Sequence, residues 1–157
     1  MHLTTYSDYS MRVLVYLSLE KERLVTIADI AKAYNISENH LMKVVHHLAL
    51  EGYIETVRGK GGGMRLAQKP EKINIGQLIR KTEGDSGLLA CTYEVSNCCI
   101  QSSCDLIEIL REAHAALYAV LDKYTLADLI KNQQPLARIL MHHPRSGKAN
   151  PAPAAPQ

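Results

Sequence analysis

The first apolar residues to recur at helical spacing are Tyr9, Val13, Tyr16 and Leu17, with Arg12 and Glu20 facing away. This pattern predicts a helix from about Ser7 to the charged turn EKER. A second helix, IADIAKAY, carries its apolar face at Ile27, Ile30, Ala31 and Tyr34. Thr26 is placed to cap it, with Asp29 in the acidic first turn. Asn35 tolerates the left-handed conformation, so Tyr34-Asn35-Ile36 can reverse the chain within three residues. Ser37 is then placed to cap a third helix, SENHLMKVVHHLALEGY, with a core stripe at Leu41, Val44, Val45 and Leu48. Its other side is polar: Asn39, His40, Lys43, His46 and His47. Two short helices joined by a tight turn, the second with a polar outer face, predict a helix-turn-helix.

After Gly52 the period changes. IETV and MRLA have strand propensity and flank Arg58 to Gly63, which predicts a β-hairpin with a glycine-rich tip, that is, a wing. Asn74 caps a further helix, IGQLIRKTEG. Periodicity then disappears from Gly84 to Cys104, a stretch that holds all four cysteines, Cys91, Cys98, Cys99 and Cys104. A loop of this length without its own pattern points to function or disorder, and four thiols favour function. Thiolates are soft ligands suited to iron-sulfur clusters or zinc, and metal binding can supply the ordering free energy that the loop's few apolar residues do not.

Helical period returns at Leu106, Leu110, Ala113, Leu117, Val120 and Leu121. Cys104 is thereby placed at a helix N-terminus, which favours a negatively charged thiolate assembly. The stripe of this helix is too wide for solvent, and pairing with a second chain is the simplest way to bury it. Thr125 opens a short helix, TLADLI, and Pro135 predicts weak structure up to Met141. The predicted organisation is a winged helix-turn-helix over 1–83, a cysteine loop over 84–104, a dimerisation helix with a short C-terminal helix over 105–141, and a disordered tail over 142–157. The fold class is mainly α with a small β-hairpin wing.

Composition narrows the function classes. The chain has 157 residues, 46% hydrophobic and 22% charged, which suits one soluble domain. A net charge of +2 is too small to argue for nucleic acid by itself. Charge position carries more weight: from Val57 to Lys69 there are four cations and no acid. Arg58, Lys60 and Arg65 are therefore candidate contacts to phosphates or a minor groove, and Gly61 and Gly62 allow close backbone approach. Asn39, His40 and Lys43 are candidate base readers, and Thr26 and Ser37 at the helix starts complete the DNA-binding set. Structural zinc and a protein-binding winged helix are the competing readings at the level of residues.

No cleavage pattern follows Met1, and VLVYLSL is too short to span a membrane, which predicts a reducing cytoplasm with metal-binding or redox thiols rather than permanent disulfides. RGKGGG matches neither a P-loop nor a dinucleotide fingerprint, because position 64 is Met. No nucleophile with a base is visible, so an enzyme is not predicted.

The segments LTTYSDYSMRVLVYL, VRGKGGGMRL and YTLADLI followed by QQPL, in this order around the cysteine loop, resemble the Rrf-type bacterial repressors from Met1 to about Leu140. That resemblance implies winged-helix homodimers on palindromic double-stranded DNA. It also implies, for one nitric-oxide-sensing branch, an iron-sulfur cluster, [4Fe-4S] or [2Fe-2S], whose nitrosylation releases the operator. The branch's cysteine ligands fall on Cys91, on Cys98 or Cys99, and on Cys104. Its spacing of the second and third cysteines selects Cys98, with Cys99 as the alternative middle ligand. Asp8 falls where a partner-contributed fourth ligand stands. Sister regulators of cluster biogenesis use a histidine where this chain has Ile107, which cannot ligate iron. Other readings of the same fold are a thiol- or zinc-based redox or metal-responsive regulator and a cofactor-free repressor that answers a metabolite.

Overall fold

A computed structural model describes residues 2–84, 87–93 and 98–141. The predicted tail over 142–157 lies outside the described residues. Helix α1 spans Thr5–Leu19, α2 Ile27–Tyr34 and α3 Glu38–Leu50. Strands β1 Ile54–Val57 and β2 Gly63–Leu66 follow, then α4 Ile75–Glu83, α5 Leu106–Leu121, α6 Leu126–Leu129 and α7 Gln133–Met141. The chain is therefore mainly helical with one two-stranded antiparallel hairpin, as the pattern predicts.

Local chemistry sets the boundaries. Helix α1 starts two residues earlier than periodicity suggests, because the Thr4 side chain accepts from the Ser7 N–H and caps it. Thr26 and Asp29 form a reciprocal capping box on α2, and Asn35 ends that helix at φ 54° in the left-handed region. Ser37 does occupy the N-cap of α3, but its side chain makes no capping hydrogen bond. In the hairpin Glu55 faces Arg65 and Thr56 faces Met64. At the wing tip a Cβ on Gly62 would collide with the carbonyl oxygen of Val57, so the turn requires a residue without one.

Val13, Leu14, Leu41, Val44, Leu48, Ile30, Val25 and Met64 are among the buried residues of the main core. Val25 and Met64 exchange backbone hydrogen bonds of 3.0 and 2.7 Å, which fastens the wing to the start of the helix-turn-helix. A smaller cluster joins Ile75 and Ile79 of α4 to Tyr118 of α5.

Two expectations change. The long helix does not simply extend beyond the winged domain. Its C-terminal end is tied back through Ile75 N–H to Tyr124 O at 3.0 Å and Leu126 N–H to Ile73 O at 2.8 Å, and Leu126 is fully buried in the main core. The segment after Pro135 is also ordered. Pro135 sits in the first turn of α7, where a missing N–H breaks no helical bond, and Leu140 packs on the main core.

Glu83, the last residue of α4, accepts hydrogen bonds from the Thr4 N–H at 2.8 Å, the Thr4 hydroxyl at 3.0 Å and the Ser7 hydroxyl. Partial burial pushes its carboxyl up, but these three donors outweigh burial and hold it below its ordinary value. A depressed carboxylate contributes stability that is complete above the unfolded-state pKa and lost as pH falls through the lower folded-state value. Glu83→Gln should therefore lower the melting temperature at neutrality, and the difference from wild type should shrink as the pH is lowered through the acid range. A difference independent of pH in thermal melts would contradict this.

Candidate nucleic-acid interface and cysteine loop

The polar side of α3 faces outward. Asn39, His40, Lys43 and His46 are exposed, opposite the buried Leu41, Val44, Val45 and Leu48. The His40 ring lies 6.5 Å from the Tyr9 ring of α1, so α1 flanks this outward face. His47 departs from expectation. It meets the Tyr6 ring edge-on at 5.6 Å, and its Nε2 is buried without a hydrogen-bond partner. Its side chain belongs to the α1–α3 packing and not to the solvent or phosphate face.

Arg58, Lys60 and Gly61 are exposed at the wing tip. Neither cation enters an ion pair among the described residues, nor does Lys43. Arg65 differs: its Nη2 donates to Glu55 Oε2 at 3.0 Å across the hairpin. Much of its charge is thereby answered within the wing. Thr26 is exposed at the start of α2, with its hydroxyl committed to Asp29.

The cysteine loop has more local structure than periodicity suggests. Single 3-10 turns cover Ala90–Thr92 and Gln101–Ser103. Arg111 of α5 donates from Nε to Thr92 O at 3.0 Å, and the Gln101 side chain donates to Cys91 O at 3.3 Å. These bonds stitch the loop to the N-terminal half of α5. Cys104 lies just before α5, and its carbonyl accepts from the Ile107 N–H at 3.2 Å. None of the four cysteines is in a disulfide among the described residues; Cys98 and Cys99 are exposed, and Cys91 and Cys104 are half-buried. The donor set suits a soft metal centre. Among the described residues, however, no three His, Cys, Asp or Glu side chains stand together closely enough to hold a metal ion. Asp8 stands in the first turn of α1, accepting from Arg12 Nε at 3.0 Å, and is not gathered with the cysteines.

Sequence reasoning missed Glu83, Gln101 and Arg111. Their roles depend on where separate elements meet, and no periodic signal marks them. Among the described residues no helix is long and apolar enough to cross a membrane.

Residues 3–132 match the Rrf2 family, described as an iron-dependent transcriptional regulator. The chain belongs to the Rrf2 family of transcriptional regulators. It is 50% identical over 142 residues to the HTH-type transcriptional regulator NsrR of Bacillus subtilis (strain 168), covering 89% of this chain and 97% of that relative. The NsrR of Shouchella clausii is 44% identical over the same length, covering 95% of its own chain. Solved structures agree. CymR, the global cysteine regulator of B. subtilis, superposes with a TM-score of 0.65 at 26% identity over 84% of this chain and 98% of that one. T. potens IscR does so with a TM-score of 0.66 at 26% identity over 87% and 90%. The resemblance read from the sequence is therefore correct, and so is the winged-helix fold. As an Rrf2 member the chain is a helix-turn-helix transcriptional regulator, and its relatives are regulators rather than enzymes.

An Rrf2 wing tip that neutralises a phosphate should show in the salt dependence of binding. Lys60→Ala should lower the slope of log K against log salt by about 0.9. Arg65→Ala should change it less, because Glu55 already engages that guanidinium. Fluorescence anisotropy across a salt series measures both. Equal slopes for wild type and Lys60→Ala would remove Lys60 from the interface.

Proposed function

We propose that the chain is a homodimeric, iron-sulfur-dependent repressor that binds a palindromic operator and releases it in response to nitric oxide. The observation that carries the reading is the cysteine loop: four cysteines outside any disulfide, on a segment bonded to α5 through Arg111 and directly preceded by Glu83, which is bonded to the start of α1. The relatives named NsrR support it.

The dimer rests on α5. Leu106 is 50% exposed, Ile109 60% and Val120 51%, and Ala113 and Ala116 are exposed with them. These residues recur at three- and four-residue spacing and form an apolar stripe on one side of the helix. A second copy of the chain would cover it. The two α3 helices would then enter successive major grooves, with Arg58 and Lys60 of each wing over the flanking backbone.

Cys91, Cys98 and Cys104 would hold the cluster, with Cys99 as the alternative to Cys98, and Asp8 of a partner subunit would complete the set. When bound, the group supplies thiolate-coordinated irons that react with nitric oxide. The chain's own part is mechanical. Three held thiols fix the loop against the start of α5, and Glu83 carries that constraint to the first turn of α1, which flanks the reading face through Tyr9. Once the thiols are released, the loop keeps its protein contacts, the Arg111 and Gln101 bonds among them, but loses the constraint from the thiols, and the spacing of the two α3 helices is no longer fixed. The result is a population shift between dimer arrangements.

The test is anaerobic purification with visible absorbance, iron and sulfide content and operator binding followed before and after nitric oxide. Cys91→Ala and Cys104→Ala should lose colour, iron and the nitric oxide response, while only one of Cys98→Ala and Cys99→Ala should do so. Colourless, iron-free wild-type protein that resists reconstitution and still binds DNA would sink the cluster. Separately, Ile109→Glu should shift the sedimentation of the protein to that of a monomer.

A further inference from the structure

The reading face of α3 contains one residue that an argument from charge leaves out. Asn39, Met42, Lys43 and His46 share one side of the helix by their three- and four-residue spacing, and all four are exposed. Met42 is 50% exposed and is not among the buried or half-buried residues of either hydrophobic cluster. It stands in the second turn of α3, between an amide and an ammonium that would face bases. The other exposed large apolar residue of this helix, Leu50, lies at its far end.

A duplex offers few apolar partners to such a side chain. In the major groove the one methyl group among the base edges is the 5-methyl of thymine. Methionine suits it, because an unbranched thioether with three rotatable bonds conforms to an irregular surface and remains polarisable. Residues in the first turns of a recognition helix are the ones that reach base edges. Asn39, one turn earlier, has the donor and acceptor pattern that pairs with adenine N6 and N7. The two together suit a step rich in A·T pairs.

We propose that Met42 is a specificity residue whose thioether packs on the 5-methyl group of a thymine in each operator half-site. This rests on the reading of α3 as the base-reading helix. The competing account is that Met42 is an ordinary solitary apolar residue on the surface.

The test uses the full chain purified without oxygen. Duplexes are selected from a randomised library, and dissociation constants are measured on the selected duplex and on versions in which each thymine in turn is replaced by uracil, which removes only the methyl. At one thymine per half-site wild type should lose roughly fourfold, the factor equivalent to about 0.8 kcal/mol for one buried methylene. Met42→Ala, which removes the contact from both half-sites, should lose roughly sixteenfold, two such factors, on the parent duplex and nothing further on that uracil duplex, whereas Met42→Leu should retain the methyl dependence. Uracil and Met42→Ala effects that multiply at every position would overturn the proposal. So would a lowered melting temperature for Met42→Ala without any coupling to uracil, which would make Met42 a packing residue. Failure of wild type to enrich any sequence would overturn the base-reading role of α3 itself, an outcome separable from enrichment without coupling.

Discussion

Burial of α1 on more than one side is the constraint on which the rest of the structure depends. Helix α1 packs against α3, α4, α6, α7 and the strand β2, and Val13 and Leu14 are fully buried within it. A helix so enclosed cannot shift without disturbing the helix-turn-helix and the wing together, because close-packed interiors transmit strain instead of absorbing it. Its N-terminal turn is held by Thr4 and Ser7 bonding to Glu83, so α4 and the entry to the cysteine loop join the same unit. Whatever orders the loop acts close to this turn, and Tyr9 and Tyr6 carry the contact on to His40 and His47 of α3.

Helix α5 meets three separate demands. Its inner side closes the small cluster with α4, where Tyr118 lies under the Arg80 guanidinium at 4.3 Å and Arg80 forks onto Asp122 with two bonds of 2.7 Å. A Cβ on Gly76 would collide with the Asp122 side chain, so close approach of α4 to the end of α5 depends on that glycine. The start of the helix receives the loop through Arg111. Its outer side keeps an apolar stripe that no part of the described chain covers. The helix is thus fixed at its C-terminal end to the helix-turn-helix unit, while its apolar stripe stays exposed along its length.

Charge placement, not net charge, distinguishes the nucleic-acid face. Arg58 and Lys60 stand at the wing tip outside any ion pair among the described residues, while Arg65, two strand positions from the tip, is matched by Glu55. The hairpin therefore separates its cations into two exposed at the tip and one matched across the strands. Exposed pairs of the second kind add little stability, so Arg65–Glu55 is better regarded as orienting the strand than as holding it.

The elements themselves were legible in the chain because each signal is local. Stripes at three- and four-residue spacing, the Thr26–Asp29 box, left-handed Asn35, the glycines of the wing and the four clustered cysteines act within a few residues of one another. The family resemblance rested on the same local segments. What the tertiary structure decided were meetings between residues far apart in sequence. Glu83 reaches Thr4, Leu126 enters the main core, Leu140 returns to it, and His47 turns inward to Tyr6 while its neighbour His46 stays outside. Periodicity assigns a residue to a face but does not say which distant element packs there, since that depends on how all the helices share a single core. Pro135 shows the same limit at short range: as a residue it argues against a helix, and only its place in the first turn of α7 makes it compatible with one.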